Sequence, residues 1–179
     1  MTTPPPVFLR ALDEGDLDRT LRWHNDPALY STMGEAFRFV SKTAEAEWLG
    51  RKSRYAPNEV NLAICLRGEA EHIGNAYLRE IDWVSRKAIL HIFIGSKKQR
   101  GKGYGKQAVQ QLLQHAFLDL NLNRVELEVL ADNAPAIRIY EQSGFVAEGR
   151  LRDYAFKNGE YKDALVMGIR AEDFRRDTR

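Results

Sequence analysis

The alternation of apolar and polar residues predicts an α/β (α+β) domain in which strands and helices interleave along one chain, and three stretches carry that prediction. Residues 61–66 and 72–81 read as paired strands joined by the charged turn Arg67-Gly68-Glu69-Ala70-Glu71. Residues 87–94 are apolar on both faces, the pattern of a strand covered on each side. Residues 101–121 place Ala108, Leu112, Ala116, Phe117 and Leu120 on one helical stripe, with Gln107, Gln110, Gln111 and Gln114 opposite.

Residues 7–12 read as a first strand. Residues 13–25 read as a helix with acids in its first turn, where the macrodipole favours them, and Asp26-Pro27 ends it. Residues 28–39 show no clear period, and 41–54 read as a second helix with Ala44, Trp48 and Leu49 or Arg51 near one face. After helix 101–121 come a strand over 124–130, a short helix over 134–143 closed by Gly144, and a hairpin of 145–157 with 160–169 across Asn158-Gly159. The sum is about seven strands and about four helices. The 179 residues suit one domain with an ordered core over about 7–170, leaving 1–6 and 171–179 as polar termini and residues 175–179 as a frayed tail.

A hydrophobic fraction of 44% and a charged fraction of 29% are those of a globular protein with a real core. No apolar run approaches the roughly 18 residues of a membrane helix, and the proline-rich start lacks the pattern of a signal peptide, so a cytoplasmic protein without membrane partners is expected. The lone cysteine, Cys65, sits within the apolar run 62–66 and reads as a buried small hydrophobe. A net charge of +2 gives no global reason to expect nucleic acid binding. No metal site is expected.

Charge is nevertheless concentrated. From Lys97 to Lys106 there are five basic residues and no acidic one, interleaved with glycines. A strand that runs into Arg100-Gly101-Lys102-Gly103-Tyr104-Gly105 and then a helix offers main-chain N–H groups at a positive helix end, where anions bind. Glycine at 101, 103 and 105 lets the main chain approach a pyrophosphate, with Arg100, Lys102 and Lys106 adding charge. Taken alone, the segment is equally a plain glycine-rich turn. The triphosphate loop G-x-x-x-x-G-K-[ST] is absent, and the spacing here is G-x-G-x-G where a dinucleotide fingerprint needs G-x-G-x-x-G.

Arg100-x-x-Gly103-x-Gly105, followed by Asn133-x-x-Ala136-x-x-x-Tyr140-x-x-x-Gly144-Phe145, resembles the two signature segments of GNAT acetyltransferases. Ala136-Ile137-Arg138-Ile139-Tyr140 and Phe156-x-Asn158-Gly159-x-Tyr161 are similar in texture to the ribosomal-protein N-terminal and the spermidine acetyltransferases; the likeness covers about 62–169. It implies a mixed, mostly antiparallel sheet flanked by helices, whose middle strands, here 87–94 and 124–130, splay apart. It implies acetyl-CoA as co-substrate, with the pantetheine arm in the gap bonded to the main chain of Ile92, Phe93 and Ile94, and its diphosphate on residues 100–106. The implied reaction is direct attack by a primary amine on the thioester in a ternary complex.

Such an amine, of free pKa about 10 if lysine-like or about 8 if an α-amine, must lose a proton, and a thiolate departs more readily if offered one. Tyr140 matches the family's tyrosine and is the expected proton donor, against a reading as an aromatic packed on Ile137 and Phe145. Glu128 is the expected base, directly or through water, because it lies five residues before Asn133, where the ribosomal-protein enzymes carry a glutamate. His91 is the substitute, with an unperturbed pKa of about 6.5. Asn133 precedes Ala134-Pro135 as an N-cap and, by the resemblance, also touches the cofactor arm. The acceptor pocket is expected from Trp23, His24, Asn25, Trp48 and the 158–159 hairpin. Arg22-Trp23-His24-Asn25-Asp26 with Glu47-Trp48-Leu49 also resembles amino-sugar-nucleotide acetyltransferases, so protein N-termini, polyamines, nucleotide sugars and antibiotics all stay open as acceptors, and an oligomer is possible. Two further readings stand beside the enzyme: a catalytically silent acyl-CoA-binding module, and nucleic acid binding through 97–106.

Overall fold

Strands β1 (Val7–Ala11), β2 (Val60–Leu66), β3 (His72–Asp82), β4 (Lys87–Ile94), β5 (Arg124–Leu130), β6 (Val146–Lys157) and β7 (Glu160–Arg170) form one sheet in the order β1-β2-β3-β4-β5-β7-β6. The coordinates are a computed structural model and describe residues 6–68 and 70–177. Every neighbouring pair is antiparallel except β4 and β5, which run parallel. The sheet is thus the mixed, mostly antiparallel one expected.

Among the described residues six α-helices cover it: α1 (Leu17–His24), α2 (Pro27–Tyr30), α3 (Lys42–Lys52), α4 (Tyr104–Gln114), α5 (Ala134–Glu141) and α6 (Ala171–Asp177). On one face Leu112 and Phe117 pack with Leu78, Val125, Leu127 and Met167 in the larger core. On the other face Trp23, Leu29 and Leu49 pack on Cys65, Tyr77 and Phe93. Cys65 is fully buried there, and burial pushes its thiol pKa up, as suits an inert hydrophobe. Among the described residues no helix is long and apolar enough to cross a membrane.

Four sequence expectations are corrected. The helix read over 13–25 is a 3-10 turn, Glu14–Asp16, followed by α1, because Asp16 turns inward to take both terminal nitrogens of Arg10 at 2.8 and 2.6 Å. Asp16 is 2% exposed and serves as an interior ion-pair partner, while Asp13 caps the turn through Gly15 N. The aperiodic stretch 28–39 contains the single turn α2, started by Pro27 behind the Asp26 cap. Helix 101–121 starts only at Tyr104, since Gly101 and Gly103 hold φ of +74° and +80°, and it continues beyond Gln114 as a π-helical stretch to Asp119. Finally, residues 171–177, read as polar terminus, form α6, with residues 178–179 outside the described set.

Phe174 anchors α6: it is 8% exposed and its ring lies 5.3 Å from that of Phe117. Replacing it with alanine should therefore cost about 3–5 kcal/mol, as for other buried aromatic truncations. Urea denaturation of Phe174→Ala checks this, and an unchanged midpoint would mean that α6 does not hold the core.

Candidate active site

The β4–β5 ladder pairs only Lys87, Ala88 and Ile89 with Arg124, Val125 and Glu126. Beyond that point β4 stays paired to β3 as far as Ile94 opposite Gly74, and β5 stays paired to β7 as far as Leu130 opposite Ala164. The two strands have therefore parted in mid-sheet. Alternate main-chain groups of β4 from Leu90 onward, including the segment Ile92, Phe93 and Ile94, face a gap with no strand across it.

The glycine loop meets the end of β4 at that gap. A β-carbon built on Gly105 would lie 3.6 Å from Ile139 Cδ1 and 3.9 Å from Ile94 Cγ1, which places the first turn of α4 between β4 and α5. Gly101, Lys102 and Gly103 are exposed, and Tyr104 and Lys106 are half-buried. Arg100, expected to add its charge to an anion, instead donates Nε to Ile94 O at 2.8 Å and Nη2 to Gly95 O at 3.2 Å. A guanidinium can satisfy carbonyls left over at a strand end, and here that use fixes the loop against β4. Lys102 donates to Gln99 Oε1 at 2.9 Å, and Lys106 has no ion pair among the described residues.

Tyr140, on α5, is 8% exposed and packs edge-on against Phe145 at 5.7 Å between ring centres. Burial, and nothing else, pushes its phenol pKa above the usual value, so it stays protonated at neutral pH. Asn133 caps α5 through Ala136 N at 3.3 Å, and its side-chain amide donates to Thr32 O at 2.9 Å. Both ends of Asn133 are thus committed within the fold.

Glu128 projects from the opposite face of β5 to its buried neighbours Leu127 and Val129 and is exposed. It accepts the hydroxyl of Tyr154, whose pKa is pushed up to about 12 by burial and by that carboxylate. Glu126, its neighbour on the same face, instead accepts Arg124 Nε at 2.8 Å beside the closed part of the ladder. His91 shares the Glu128 face, with Nε2 3.1 Å from Glu35 Oε2.

Glu35, Tyr154 and Lys157 were not foreseen from the sequence. Burial alone would raise the Glu35 pKa, but His91 and Arg79, the latter at 3.2 Å, outweigh it and hold the carboxyl at about 2. Lys157 is 7% exposed and donates Nζ to Tyr30 O at 2.9 Å and to Glu35 O. A β-carbon on Gly34 would come within 2.9 Å of the Tyr154 ring. At its far end the segment is clasped by Asn25, which takes Val40 N at 3.0 Å and gives to Val40 O at 2.9 Å. Segment 30–40 is thereby strapped over the mouth of the gap.

Under the strap lies a cavity of about 300 Å³ lined by His24, Tyr30, Glu35, Arg38, Glu45, Trp48, Tyr77, Arg79, His91 and Phe93, among others. Of the expected acceptor residues, His24 and Trp48 line it. Trp23 is buried in the smaller core, Asn25 holds the strap, and the 158–159 turn contributes only through its neighbour Lys157. His24 Nδ1 lies 2.7 Å from Glu45 Oε2, and its ring stands edge-on to Trp48.

The family model for the acetyltransferase (GNAT) domain matches residues 7–146. This chain belongs to the GNAT family. The acetyltransferase is 32% identical over 163 residues to a spermidine N(1)-acetyltransferase of Vibrio cholerae, covering 91% of this chain and 92% of that one. It is 26% identical over 161 residues to an L-amino acid N-acetyltransferase of Escherichia coli, covering 90% and 96%. The crystal structure of the Vibrio cholerae spermidine N-acetyltransferase in complex with CoA and spermine superposes with a TM-score of 0.87 at 30% identity, over 95% of this chain and 98% of that one. The chain is an acetyl-CoA-dependent N-acetyltransferase, and the gap and its glycine loop suit that co-substrate: an apolar slot with free main-chain groups leads to a glycine-flanked helix start.

The Glu35 contacts set a pH dependence. A carboxyl held below its ordinary value stabilises the fold only while ionised. The advantage of the native chain over Glu35→Gln should therefore be complete above pH about 4.5 and vanish as pH falls toward about 2. Because the Glu35 side chain is 42% exposed, that advantage should not exceed about 1 kcal/mol. Thermal melts of both proteins from neutral pH downward check it; a pH-independent difference contradicts the ion-pair account.

Proposed function

We propose that this acetyltransferase moves the acetyl group of acetyl-CoA to a small primary amine held in the cavity under the 30–40 strap, by direct attack in a ternary complex. The observation that carries the reading is the convergence at one gap of three things: unpaired β4 main chain, a glycine-flanked helix start, and a cavity lined by His91 and Phe93 of the same strand. Acetyl-CoA, when bound, supplies the thioester. The main chain of Ile92, Phe93 and Ile94 then bonds its arm, the amides of residues 101–106 hold its diphosphate, and Asn133 shapes the slot by fixing the start of α5.

The acceptor's nitrogen forms the new bond to the acetyl carbon as the bond from that carbon to sulfur breaks. One proton leaves the nitrogen and one reaches the sulfur. Tyr140 gives the second: its buried phenol keeps its hydrogen until an anion arrives beside it, and a thiolate of pKa about 8.5 is such an anion. Glu128 takes the first, directly or through water, from its place on β5 across the gap. The Glu35 contact favours a second reading, in which His91 is the base: Glu35 holds the Nε2 hydrogen and leaves Nδ1 as the basic nitrogen.

Release of free thiol from acetyl-CoA on addition of amines tests the function, and no release with any amine would refute it. Tyr140→Phe should lower kcat by about 100-fold or more, with the KM for acetyl-CoA little changed. Profiles of kcat/KM against pH for Glu128→Gln and His91→Ala assign the base, since only loss of the true base removes the acidic limb.

A further inference from the structure

Resting on the reading of this cavity as the acceptor site, we infer that the amine acetylated here also carries a carboxylate on an apolar body, and that Arg38 selects it. The charged and titratable groups lining the cavity are His24 from α1, Glu35 and Arg38 from the strap, Glu45 from α3, Arg79 from β3 and His91 from β4, together with the phenols of Tyr30 and Tyr77. Both carboxylates already have cationic or imidazole partners. Glu35 is bracketed by Arg79 and His91 at 3.2 and 3.1 Å, and Glu45, only 1% exposed, holds His24 at 2.7 Å. Among the residues lining the cavity, a polyamine therefore meets no carboxylate that lacks a cationic or imidazole partner.

Arg38 is the reverse case. It is exposed, lines the cavity, and has no hydrogen bond or ion pair among the described residues. A guanidinium presents a rigid fork of donors that matches a carboxylate better than any other side chain does. Deeper in, two acceptor atoms of cavity-lining residues have no partner among the described residues: Glu45 Oε1 and His91 Nδ1, the latter left bare when Nε2–H points at Glu35. Buried acceptors without donors are costly enough that native structures seldom leave them so. A ligand with an amine and a carboxylate on an apolar body suits this lining: the carboxylate meets Arg38, and the rings of Tyr30, Trp48, Tyr77 and Phe93 provide an apolar wall. A polycation lacks the second feature and a simple anion lacks the first.

The test is thiol release from acetyl-CoA with four acceptors, L-methionine, L-phenylalanine, 6-aminohexanoate and spermidine, together with the carboxamides of the first three, for the native enzyme and Arg38→Gln. At least one carboxylate should exceed its own carboxamide and spermidine by about tenfold or more in kcat/KM, the worth of one charge-assisted hydrogen bond. Arg38→Gln should bring that ratio to within about twofold, through KM more than kcat, with acetyl-CoA still bound by calorimetry. Spermidine or the carboxamides matching the acids, or a ratio that survives Arg38→Gln, overturns the inference while the acetyltransfer reading stands. Thiol release with none of the amines overturns both.

Discussion

Between Ile89 and Leu90 the sheet meets a constraint that sheet interiors normally exclude: a central strand loses its neighbour while still inside the fold. A buried main-chain group with no partner costs about 1–3 kcal/mol, so a run of them is tolerated only where something else supplies the bonds. Part of the supply is internal. Arg100 covers Ile94 O and Gly95 O, which closes the far end of the slot and leaves its middle open, while Ser96 N bonds to Ile73 O on the β3 side. The opening is thus bounded by the closed ladder at one end and by a guanidinium at the other.

That boundary governs what surrounds it. Gly95 can follow β4 only because it is glycine: a β-carbon there would stand 2.2 Å from the Trp23 ring, the centre of the smaller core. Trp23 in turn stands edge-on to His72 at 4.8 Å, and His72 lies 2.9 Å from the Asp16 carboxylate, a contact too oblique for a hydrogen bond. His72 Nε2 reaches Asn75 Oδ1 at 2.7 Å, and Asn75 donates to the Tyr77 hydroxyl at 2.7 Å. The Arg10–Asp16 pair is therefore linked, through buried polar contacts, to the wall of the cavity under the strap. The connection runs by contact at the Asp16–His72 step, where His72 Nδ1 has no hydrogen-bond partner among the described residues, and by hydrogen bonds from His72 onward to Tyr77.

The parts legible in the sequence are those whose causes are local. The period of β4, the stripe of α4, the glycines of the loop and the Asn133 cap each depend on neighbours a few positions away, and each lies where it was expected. The strap was illegible for the opposite reason. It has no period because it is held largely by its carbonyls, those of Tyr30, Thr32 and Glu35, and a side-chain pattern does not encode those. Its partners are also distant: Glu35 meets Arg79 and His91 across 44 and 56 positions, and Lys157 reaches Tyr30 across 127. Counting charges in 97–106 identified a basic loop but not that Arg100 turns away from it. The last helix was hidden because one phenylalanine in a polar segment gives too weak a signal to mark burial.

The mechanism proposed above, with Tyr140 as acid and Glu128 or His91 as base, accounts for the parted sheet. Tyr140 belongs to the larger core, on the face of the sheet covered by α4. Glu128 and His91, the two proposed bases, both project from the other face, the one covered by α1, α3 and the strap. An intact sheet would insulate the two faces from each other. In that proposal an amine approaching from the strap side and a sulfur approaching from the α5 side meet between the strands at the splay, so the proton lost and the proton gained belong to opposite layers. The separation keeps the acid and base chemically independent. No charged group contributes to the Tyr140 shift, which comes from burial alone, so the phenol stays neutral whatever the ionisation state of Glu128 or His91.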